Sequence, residues 1–482
     1  MAKLYKTPGV YIEEIPKFPP SIAPVETAIP AFIGYTEKAI EKVESDLLLK
    51  PTRITSLLEY ETQFGFAQPE QKITVTIFET NDTSGNKTEK FVADLKEADR
   101  SKHIMYYALQ MYFANGGGPC YIVSVKEYKK EAFGADLVKD ELKAGLDTLE
   151  KVDEPTLLVF PEAQQLTAND FGPLHDEALK QCEKLQDRFV IMDAHGGDLS
   201  FSDPKANLTK AIDNFRELNM GIGTDHLKYG AAYAPNIETT LDFVVDETQI
   251  VVFRKVDAAD PVEVGKLFDL AKANNALYEK AKTAIRDYPC KLPPSAAMAG
   301  IYAAVDNSRG VWKAPANVGV TNVVKPTIEF SNVQQDQMNV DVNAGKSVNA
   351  IRPFLGKGTL VWGARTLAGN DLEWRYINVR RFFIFVEESV KKATEQFVFE
   401  PNDANTWVRV QAMIENFLTT LWRQGALQGI KPEHAFYVAV GLGKTMTALD
   451  ILEGKMIVEI GMAAVRPAEF IILKFSHKMA ES

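Results

Sequence analysis

The chain has 482 residues and a net charge of −11 at pH 7, with 46% hydrophobic and 25% charged side chains. This length predicts two or three packed domains, and the acidic balance excludes a general nucleic-acid-binding protein, which needs a basic face. No apolar stretch approaches the roughly 20 residues of a membrane helix, and residues 1–8 lack the apolar core of a signal peptide, so we expect synthesis in the cytoplasm and no direct contact with a membrane.

Prolines punctuate the first thirty residues and prevent a helix there. They stand at Pro8, Pro16, Pro19, Pro20, Pro24 and Pro30. Residues 9–15 (GVYIEEI) combine β-branched and aromatic residues suited to a strand. We interpret residues 1–30 as an extended arm. The alternative is an edge strand of the chain's own sheet.

The next part of the chain predicts an insertion followed by a buried helix. Residues 46–98 have the composition of a polar insertion that ends in a turn-rich stretch, 81–86. Residues 104–113 are apolar nearly all round, which predicts a buried helix. The glycines of residues 115–118 then favour a tight turn over an anion-binding loop, because a strand at 120–125 follows instead of a helix.

The middle of the chain alternates short apolar runs with amphipathic segments. Strands are expected at 156–160, 188–193 and 229–234, and helices at about 170–185 and 204–218. This β-α-β-α-β order predicts a right-handed, largely parallel α/β layer.

The last third changes character. Apolar residues spaced by three and four predict amphipathic helices over 379–397 and 403–424, with Gly425 at the C-terminal cap. Three strand candidates follow, at 435–440, 456–460 and 469–475. The last of them has little sequence after it to cover its apolar side chains.

Motifs that could carry chemistry are few. The three cysteines, Cys120, Cys182 and Cys290, are widely spaced and odd in number, which predicts partly buried thiols and neither a disulfide framework nor a metal site. The histidines lack zinc-binding spacing. The sequence therefore predicts no catalytic residue, no cofactor and no metal.

Three local motifs could nevertheless bind a ligand or take part in catalysis. Residues 441–445 (GLGKT) resemble a phosphate-binding loop, but Val438 stands where its first glycine belongs, so a turn is expected. Residues 193–198 (DAHGGD) place Asp193 and His195 after a strand, where acid–base residues often lie, although no nucleophile can be assigned. The pair Arg380 and Arg381 is interpreted as a charged helix start.

Several segments together resemble one protein family. They are 5–14 (YKTPGVYIEE), 27–34 (TAIPAFIG), 293–302 (PPSAAMAGIY), 309–317 (RGVWKAPAN), 360–367 (LVWGARTL), 376–381 (YINVRR), 399–403 (FEPND) and 466–471 (RPAEFI). In this order they are similar to contractile tail sheath proteins of phage tails, R-type bacteriocins and extracellular contractile injection systems. Residues 46–98 and 236–290 depart from the pattern.

The resemblance implies a multidomain fold of α/β and α+β type: an arm at 1–30, an outer α/β domain at 31–330, an inner α+β core at 331–463 and a C-terminal β arm at 464–482. Both arms would add strands to sheets of neighbouring copies. The N-terminal arm residues would be Val10, Tyr11, Ile12 and Ile15. The C-terminal arm residues would be Phe470, Ile471, Ile472, Leu473 and Phe475. The acceptor sheet would contain Phe436, Val438, Val440, Ile457, Val458 and Ile460.

The implied function is structural. Many copies would polymerise helically around an inner tube, with baseplate and terminal cap proteins at the ends, be assembled in the bacterial cytoplasm, and contract from a metastable extended state. An α/β enzyme or nucleotide-binding protein that uses the central layer is the main alternative, and a capsid-like or scaffolding protein is a weaker one. Phage, bacteriocin and injection system are not distinguished by these motifs.

Overall fold

A computed structural model describes residues 21–81, 87–197, 208–217, 220–257, 259–341 and 345–473. The strands are β1 Pro30–Thr36, β2 Thr52–Ile54, β3 Thr74–Asn81, β4 Lys87–Asp94, β5 Cys120–Glu127, β6 Leu157–Val159, β7 Phe189–Asp193, β8 Gly230–Ala234, β9 Ile237–Thr239, β10 Val251–Val256, β11 Val262–Lys266, β12 Cys290–Leu292, β13 Val318–Gly319, β14 Val323–Pro326, β15 Val348–Phe354, β16 Gly358–Trp362, β17 Phe436–Val440 and β18 Val458–Met462. The helices are α1 Leu57–Phe64, α2 Met105–Ala114, α3 Lys139–Thr148, α4 Ala168–Leu185, α5 Leu208–Arg216, α6 Leu267–Ala273, α7 Asn275–Arg286, α8 Ser295–Arg309, α9 Asn332–Asn339, α10 Ile377–Thr394, α11 Ala404–Arg423, α12 Pro432–Ala435 and α13 Ala448–Leu452.

A nine-stranded sheet organises most of these elements, in the order β13-β16-β15-β8-β7-β6-β1-β5-β2. The six strands from β15 to β5 run parallel to one another, and β13, β16 and β2 are antiparallel to their neighbours. The predicted parallel α/β layer is confirmed. Strand β1 was not predicted from the sequence. Its buried residues, PAFIGYT, lie between β5 and β6.

Helices cover both faces of this sheet. The ring of Phe32 lies 5.1 Å from that of Tyr112 in α2, whereas Ile33 approaches Gly145 in α3. Since consecutive strand residues point to opposite faces, α2 and α3 cover opposite sides. At Gly300 of α8, an added Cβ would stand 2.4 Å from the carbonyl oxygen of Tyr112, so only glycine permits α2 and α8 to approach this closely.

Residues 46–98 are more than a polar insertion, which corrects the sequence interpretation. Strand β2 is an edge of the nine-stranded sheet, and α1 buries Tyr60 and Phe64. Strands β3 and β4 pair with each other and with β10 and β11 in a four-stranded sheet, where Val75 and Ile77 are fully buried. Thr74 and Thr76, which alternate with these residues, lie on the other face and are only partly buried, because strand side chains alternate between two faces.

The contacts divide the chain into two compact units. The larger contains residues 26–385 and 466–473 of the described chain, and the smaller contains 21–25 and 386–465. The domain limits expected at 330 and 463 do not coincide with this division, since β15 and β16 belong to the sheet of the larger unit. Those limits stay predictions about the assembled protein.

The smaller unit is built on α11 and the hairpin-like pair β17 and β18. Helix α11 begins at Asp403, whose carboxylate accepts the Thr406 N–H at 3.0 Å. It ends before Gly425, whose φ of +86° is the left-handed conformation expected of a C-terminal cap. Both helices predicted for the last third are thereby confirmed.

Candidate assembly interface

The predicted acceptor sheet exists as an antiparallel pair of strands. Val438 pairs with Ile460 and Val440 with Val458, and within the described residues no third strand joins either β17 or β18. Each strand therefore has an outer edge whose N–H and C=O groups lack a strand partner, which is the arrangement that another chain can extend.

The two faces of this sheet differ. Val438 and Val440 are buried, while Phe436, Val458 and Ile460 are half-buried on the same face, because directly paired residues lie on one side of a sheet. Ile457 precedes β18 and is 41% exposed. The predicted acceptor residues thus lie in or next to one sheet. Their role as acceptors of a neighbour's strand stays a prediction.

Tyr437 covers the opposite face. Its hydroxyl donates to Glu459 at 2.6 Å across the strand pair. An added Cβ at Gly461 would lie 2.1 Å from the Tyr437 ring, so the ring occupies the space that a side chain at 461 would need. The glycine is required by this close approach, and no sequence signal indicated it.

The GLGKT segment forms a turn after β17, as expected. The amides of Lys444 and Thr445 donate to the Gly441 carbonyl at 3.2 and 3.1 Å. The Thr445 hydroxyl donates to the Ile457 carbonyl at 2.7 Å. These two amides and this hydroxyl, which a phosphate would need, are therefore already hydrogen-bonded within the chain.

The C-terminal arm begins at an ion pair in the larger unit. Arg365 donates to the Glu469 carboxylate through Nε at 2.9 and 3.2 Å and through a terminal nitrogen at 2.6 Å. Asn339 donates to it at 2.8 Å and the Tyr376 hydroxyl at 3.3 Å. Burial opposes ionisation, but these hydrogen bonds outweigh it and hold the pKa of Glu469 below its usual value. We call these four residues the arm clamp.

Beyond the arm clamp, the chain is exposed. Phe470, Ile471, Ile472 and Leu473 are 71%, 80%, 79% and 72% exposed and belong to no strand of the described chain. Four consecutive large apolar side chains exposed to water are unusual on the surface of a monomeric protein. Phe475 and the predicted N-terminal arm residues Val10, Tyr11, Ile12 and Ile15 lie outside the described residues.

The arginine pair lies near the start of α10, as interpreted from the sequence, and both side chains are buried. Arg381 pairs with Asp306 at 2.5 Å, and both side chains are at most 4% exposed. Arg381 also donates to the Thr27 carbonyl at 2.8 Å. Arg380 lies over the Trp374 ring at 4.7 Å. Since both arginines are buried, the side chains and carbonyl that they contact inside the fold decide their role.

Asp193, a candidate acid–base residue in the sequence analysis, is buried and has a structural role. It accepts the Ser295 N–H at 2.7 Å, which fixes the start of α8. Burial raises its pKa to about 7. His195 contacts the Leu166 carbonyl at 3.0 Å. The cysteines are all fully buried and free, deeper than predicted.

A second buried carboxylate has no sequence signal. Glu162 is fully buried and accepts the N–H groups of Tyr35 at 2.9 Å and Ile104 at 3.2 Å. Burial raises its pKa to about 8 despite these bonds. Nδ1 of His103 lies 3.9 Å away, and burial lowers the pKa of that imidazole to about 4. The carboxyl group joins β1 to the beginning of α2.

Comparisons with known proteins agree with this architecture. The profile of the phage tail sheath C-terminal domain matches residues 370–478. The tail sheath proteins of Burkholderia phage BcepMu and Enterobacteria phage T4 are 30% and 28% identical over 144 and 118 residues. Those matches cover 29% and 24% of this chain, and only 30% and 17% of the phage proteins.

Solved structures are similar over almost the whole chain. A chain of the anti-feeding prophage helical sheath in its contracted state is 31% identical with a TM-score of 0.62, covering 98% of this chain and 100% of that one. A chain of the anti-feeding prophage baseplate is 32% identical with a TM-score of 0.63, covering 99% and 100%. A chain of the contracted sheath complex of the extracellular contractile injection system PVC is 29% identical with a TM-score of 0.62, covering 99% of both.

The fold and these likenesses define a structural protein of contractile tails. More particularly, the chain belongs to the contractile tail sheath family, whose members here come from phage tails and contractile injection systems. It is a component of a multi-copy sheath. Among the described residues, no helix has the length and apolar character that crossing a membrane requires.

Proposed function

We propose that this sheath subunit joins its neighbours by strand exchange: each C-terminal arm adds a strand to the β17–β18 sheet of another copy, and the N-terminal arm does the same. The observation that carries the proposal is the pairing of an exposed apolar tail, Phe470 to Leu473, with a sheet that has unpaired edges. A tail of this kind and an edge of this kind are chemically complementary.

Strand addition supplies both strength and register. Main-chain hydrogen bonds form along the whole added strand, independent of side-chain identity. Alternation then sets the register: Phe470, Ile472 and Lys474 face one way, while Ile471, Leu473 and Phe475 face the other. A shift by one residue would exchange the two sets, so only one register buries each side chain correctly.

Such links allow contraction without dissociation. In the proposed mechanism, subunits rotate as rigid bodies while the arms keep them connected, and residues 16–30 with their prolines act as the hinge. The extended sheath is held by the inner tube and baseplate, and contraction buries more surface between subunits. At about 25 cal/mol per Å², a few hundred Å² of added apolar burial releases several kcal/mol per subunit, with no nucleotide hydrolysis.

The proposed partners are other copies of the chain, an inner tube protein, and baseplate and terminal cap proteins, with no direct binding of nucleic acid or membrane. We favour an injection-system particle, assembled in the bacterial cytoplasm, because the likeness to the PVC sheath chain covers 99% of this chain at 29% identity. A purely structural role without catalysis is supported by Asp193 and the GLGKT turn, whose polar groups are engaged internally.

Electron microscopy of the purified protein tests strand exchange. We expect the full chain to form hollow cylinders of uniform diameter, and a variant lacking residues 470–482 to remain a folded monomer. A variant lacking residues 1–15 should behave in the same way. The matched control is I430S, which replaces an apolar side chain that is 90% exposed but belongs to neither arm; it should still form cylinders.

Normal cylinders from the truncated chains would contradict the proposal. Closed shells from the full chain would instead favour a capsid-like protein. A stable monomer that binds ATP or a dinucleotide tightly would favour the alternative, an α/β enzyme or nucleotide-binding protein that uses the central layer.

A further inference from the structure

Phe399 in the smaller unit combines two features that are each unfavourable in an isolated subunit. Its φ of +70° is in the left-handed region, which is strained for a residue with a bulky side chain. Its relative exposure is 102%, so the ring packs against nothing in the described chain and leaves its apolar surface in water. Glycine or asparagine would suit this backbone better, and a polar side chain would be better hydrated.

The segments on both sides of Phe399 determine its backbone conformation. Before it, Phe397 is buried, and its carbonyl accepts the Glu400 N–H at 3.1 Å. After it, the Asn402 side chain accepts the indole N–H of Trp407 at 2.7 Å. A strained residue persists when its surroundings fix it in this way, so residue 399 is held at one place on the surface.

Strain and exposure at the same residue indicate a role outside the subunit, because neither stabilises the fold that carries them. Val398, the preceding residue, is 62% exposed and extends the apolar surface. Exposed aromatic side chains on a fixed backbone are suited to anchoring a protein interface.

The area of this surface restricts its partner. One aromatic side chain buries about 150–250 Å², whereas a stable interface takes about 800 Å² from each partner. A protein that bound through residues 398 and 399 alone would therefore dissociate readily. A partner that other contacts already hold beside the turn binds at high effective concentration, and a second copy in a multi-copy sheath is held in this way.

A second copy also suits this surface better than an inner tube does. In the proposed mechanism, subunits stay connected during contraction while the tube moves relative to them. A contact with the tube would be broken on contraction and would return the ring to water, which costs free energy. A contact between copies keeps the ring covered in both states.

We propose that Phe399, together with Val398, inserts into the surface of a second copy of this chain, and that the strained turn displays it for this contact. The inference goes beyond strand exchange and rests on it only for the link that holds the copies together.

The test compares F399N with Q186N in the full chain. Asparagine tolerates positive φ, so F399N removes the strain together with the ring. Q186N relieves similar strain at an exposed residue, Gln186, whose φ is +61° at the end of α4, and removes no large apolar side chain. We expect both variants to raise the unfolding temperature by about 1 °C.

Only F399N should raise the critical concentration, the lowest protein concentration at which cylinders form. We expect a rise of about tenfold, the loss that corresponds to uncovering one buried aromatic side chain. F399Y keeps a ring and should assemble like the wild type. A higher unfolding temperature with weaker assembly is a combination that a residue needed only for the fold would not produce.

Two results would overturn the inference. The first is an unchanged critical concentration in F399N, measured on the purified chain without a tube protein. The second is a clear fall in the unfolding temperature of F399N, since the ring would then pack within its own chain.

F399W measures burial directly. Its tryptophan fluorescence, after subtraction of the wild-type signal, should shift to shorter wavelength when cylinders form, and an unshifted spectrum would overturn the contact. The chain lacking residues 470–482 tests strand exchange separately. If that chain still forms cylinders, strand exchange is wrong, and a raised critical concentration of F399N would still support the contact between copies.

Discussion

The two compact units use their strands in opposite ways. The parallel strands at the centre of the nine-stranded sheet have partners on both sides, and helices α2 and α3 cover its two faces. In the part of the smaller unit that the structure describes, only two strands pair with each other, and their outer edges are open. A sheet whose strands have partners on both sides stabilises its own domain. A sheet with unpaired edges can be extended by a strand of another molecule. The difference predicts where substitutions will change stability and where they will change only assembly.

The largest loss of stability should come from the buried ion pair of the larger unit. R381A removes the partner of Asp306 and leaves a carboxylate uncompensated at 4% exposure, which costs about 3–5 kcal/mol. Chemical denaturation of the monomer measures this. R409A is the matched control, since it breaks an exposed pair with Glu400 at 3.2 Å and should change stability by less than about 1 kcal/mol. Equal losses in both variants would contradict the distinction.

Stability should next depend on pH through buried carboxyl groups. The folded pKa of Glu162 is about 8, above that of an unfolded glutamate, so its stabilising contribution is complete at low pH and is lost as pH rises toward 8. The window from pH 6.5 to 8 avoids His103, whose folded pKa of about 4 has the opposite sign of effect below 6.5. Over that window Glu162 by itself should contribute a decrease of about 2 kcal/mol, and Asp193 and Glu70, whose pKa values burial raises to about 7, add to it with the same sign.

E162Q tests this assignment, because glutamine keeps the shape of the side chain and has no proton to lose. Thermal unfolding of E162Q should show a flatter pH dependence than the wild type between pH 6.5 and 8. E177Q, which alters an exposed carboxylate, should retain the wild-type slope. An identical slope in E162Q would show that other groups cause the decrease.

A smaller effect is expected in the smaller unit. G461A places a methyl group within 2.1 Å of the Tyr437 ring, and overpacking of this kind costs about 1–3 kcal/mol. Y437A/G461A removes the ring and should recover the part of that loss due to the clash. A double-mutant cycle on unfolding free energies measures the coupling, and strict additivity would exclude the contact.

The smallest loss of monomer stability is expected for substitutions in the exposed apolar tail, whose main effect should be on assembly. I471S and L473S change side chains that are 80% and 72% exposed, and such substitutions alter monomer stability by about 0.5 kcal/mol or less. Both should nevertheless reduce cylinder formation. A marked drop in the unfolding temperature of either monomer would mean that the tail packs on its own chain.

Local patterns in the sequence were sufficient for some of the regular elements. The spacing of apolar residues predicted α10 and α11, and short apolar runs predicted β6, β7 and β8. These signals work because each residue's neighbours along the chain decide whether it lies on a buried face.

Contacts between distant residues were not predictable in this way. Arg365 and Glu469 are 104 positions apart and Arg381 and Asp306 are 75 apart, and nothing in either local sequence indicates its partner. The same holds for β1, whose pairing with β5 and β6 depends on the whole sheet. The burial of Arg381 was not predictable either, because a buried arginine and a solvated one have the same local sequence.

The open edges of β17 and β18 also bear on how growth could be stopped. An edge that binds mainly through backbone groups does not distinguish a tail belonging to an intact subunit from the same residues as a free peptide. A synthetic peptide of residues 466–482 has no second unit to offer the next copy. Bound to the last subunit of a growing cylinder, it would act as a chain terminator, and the length of the cylinders would then report the concentration of the peptide.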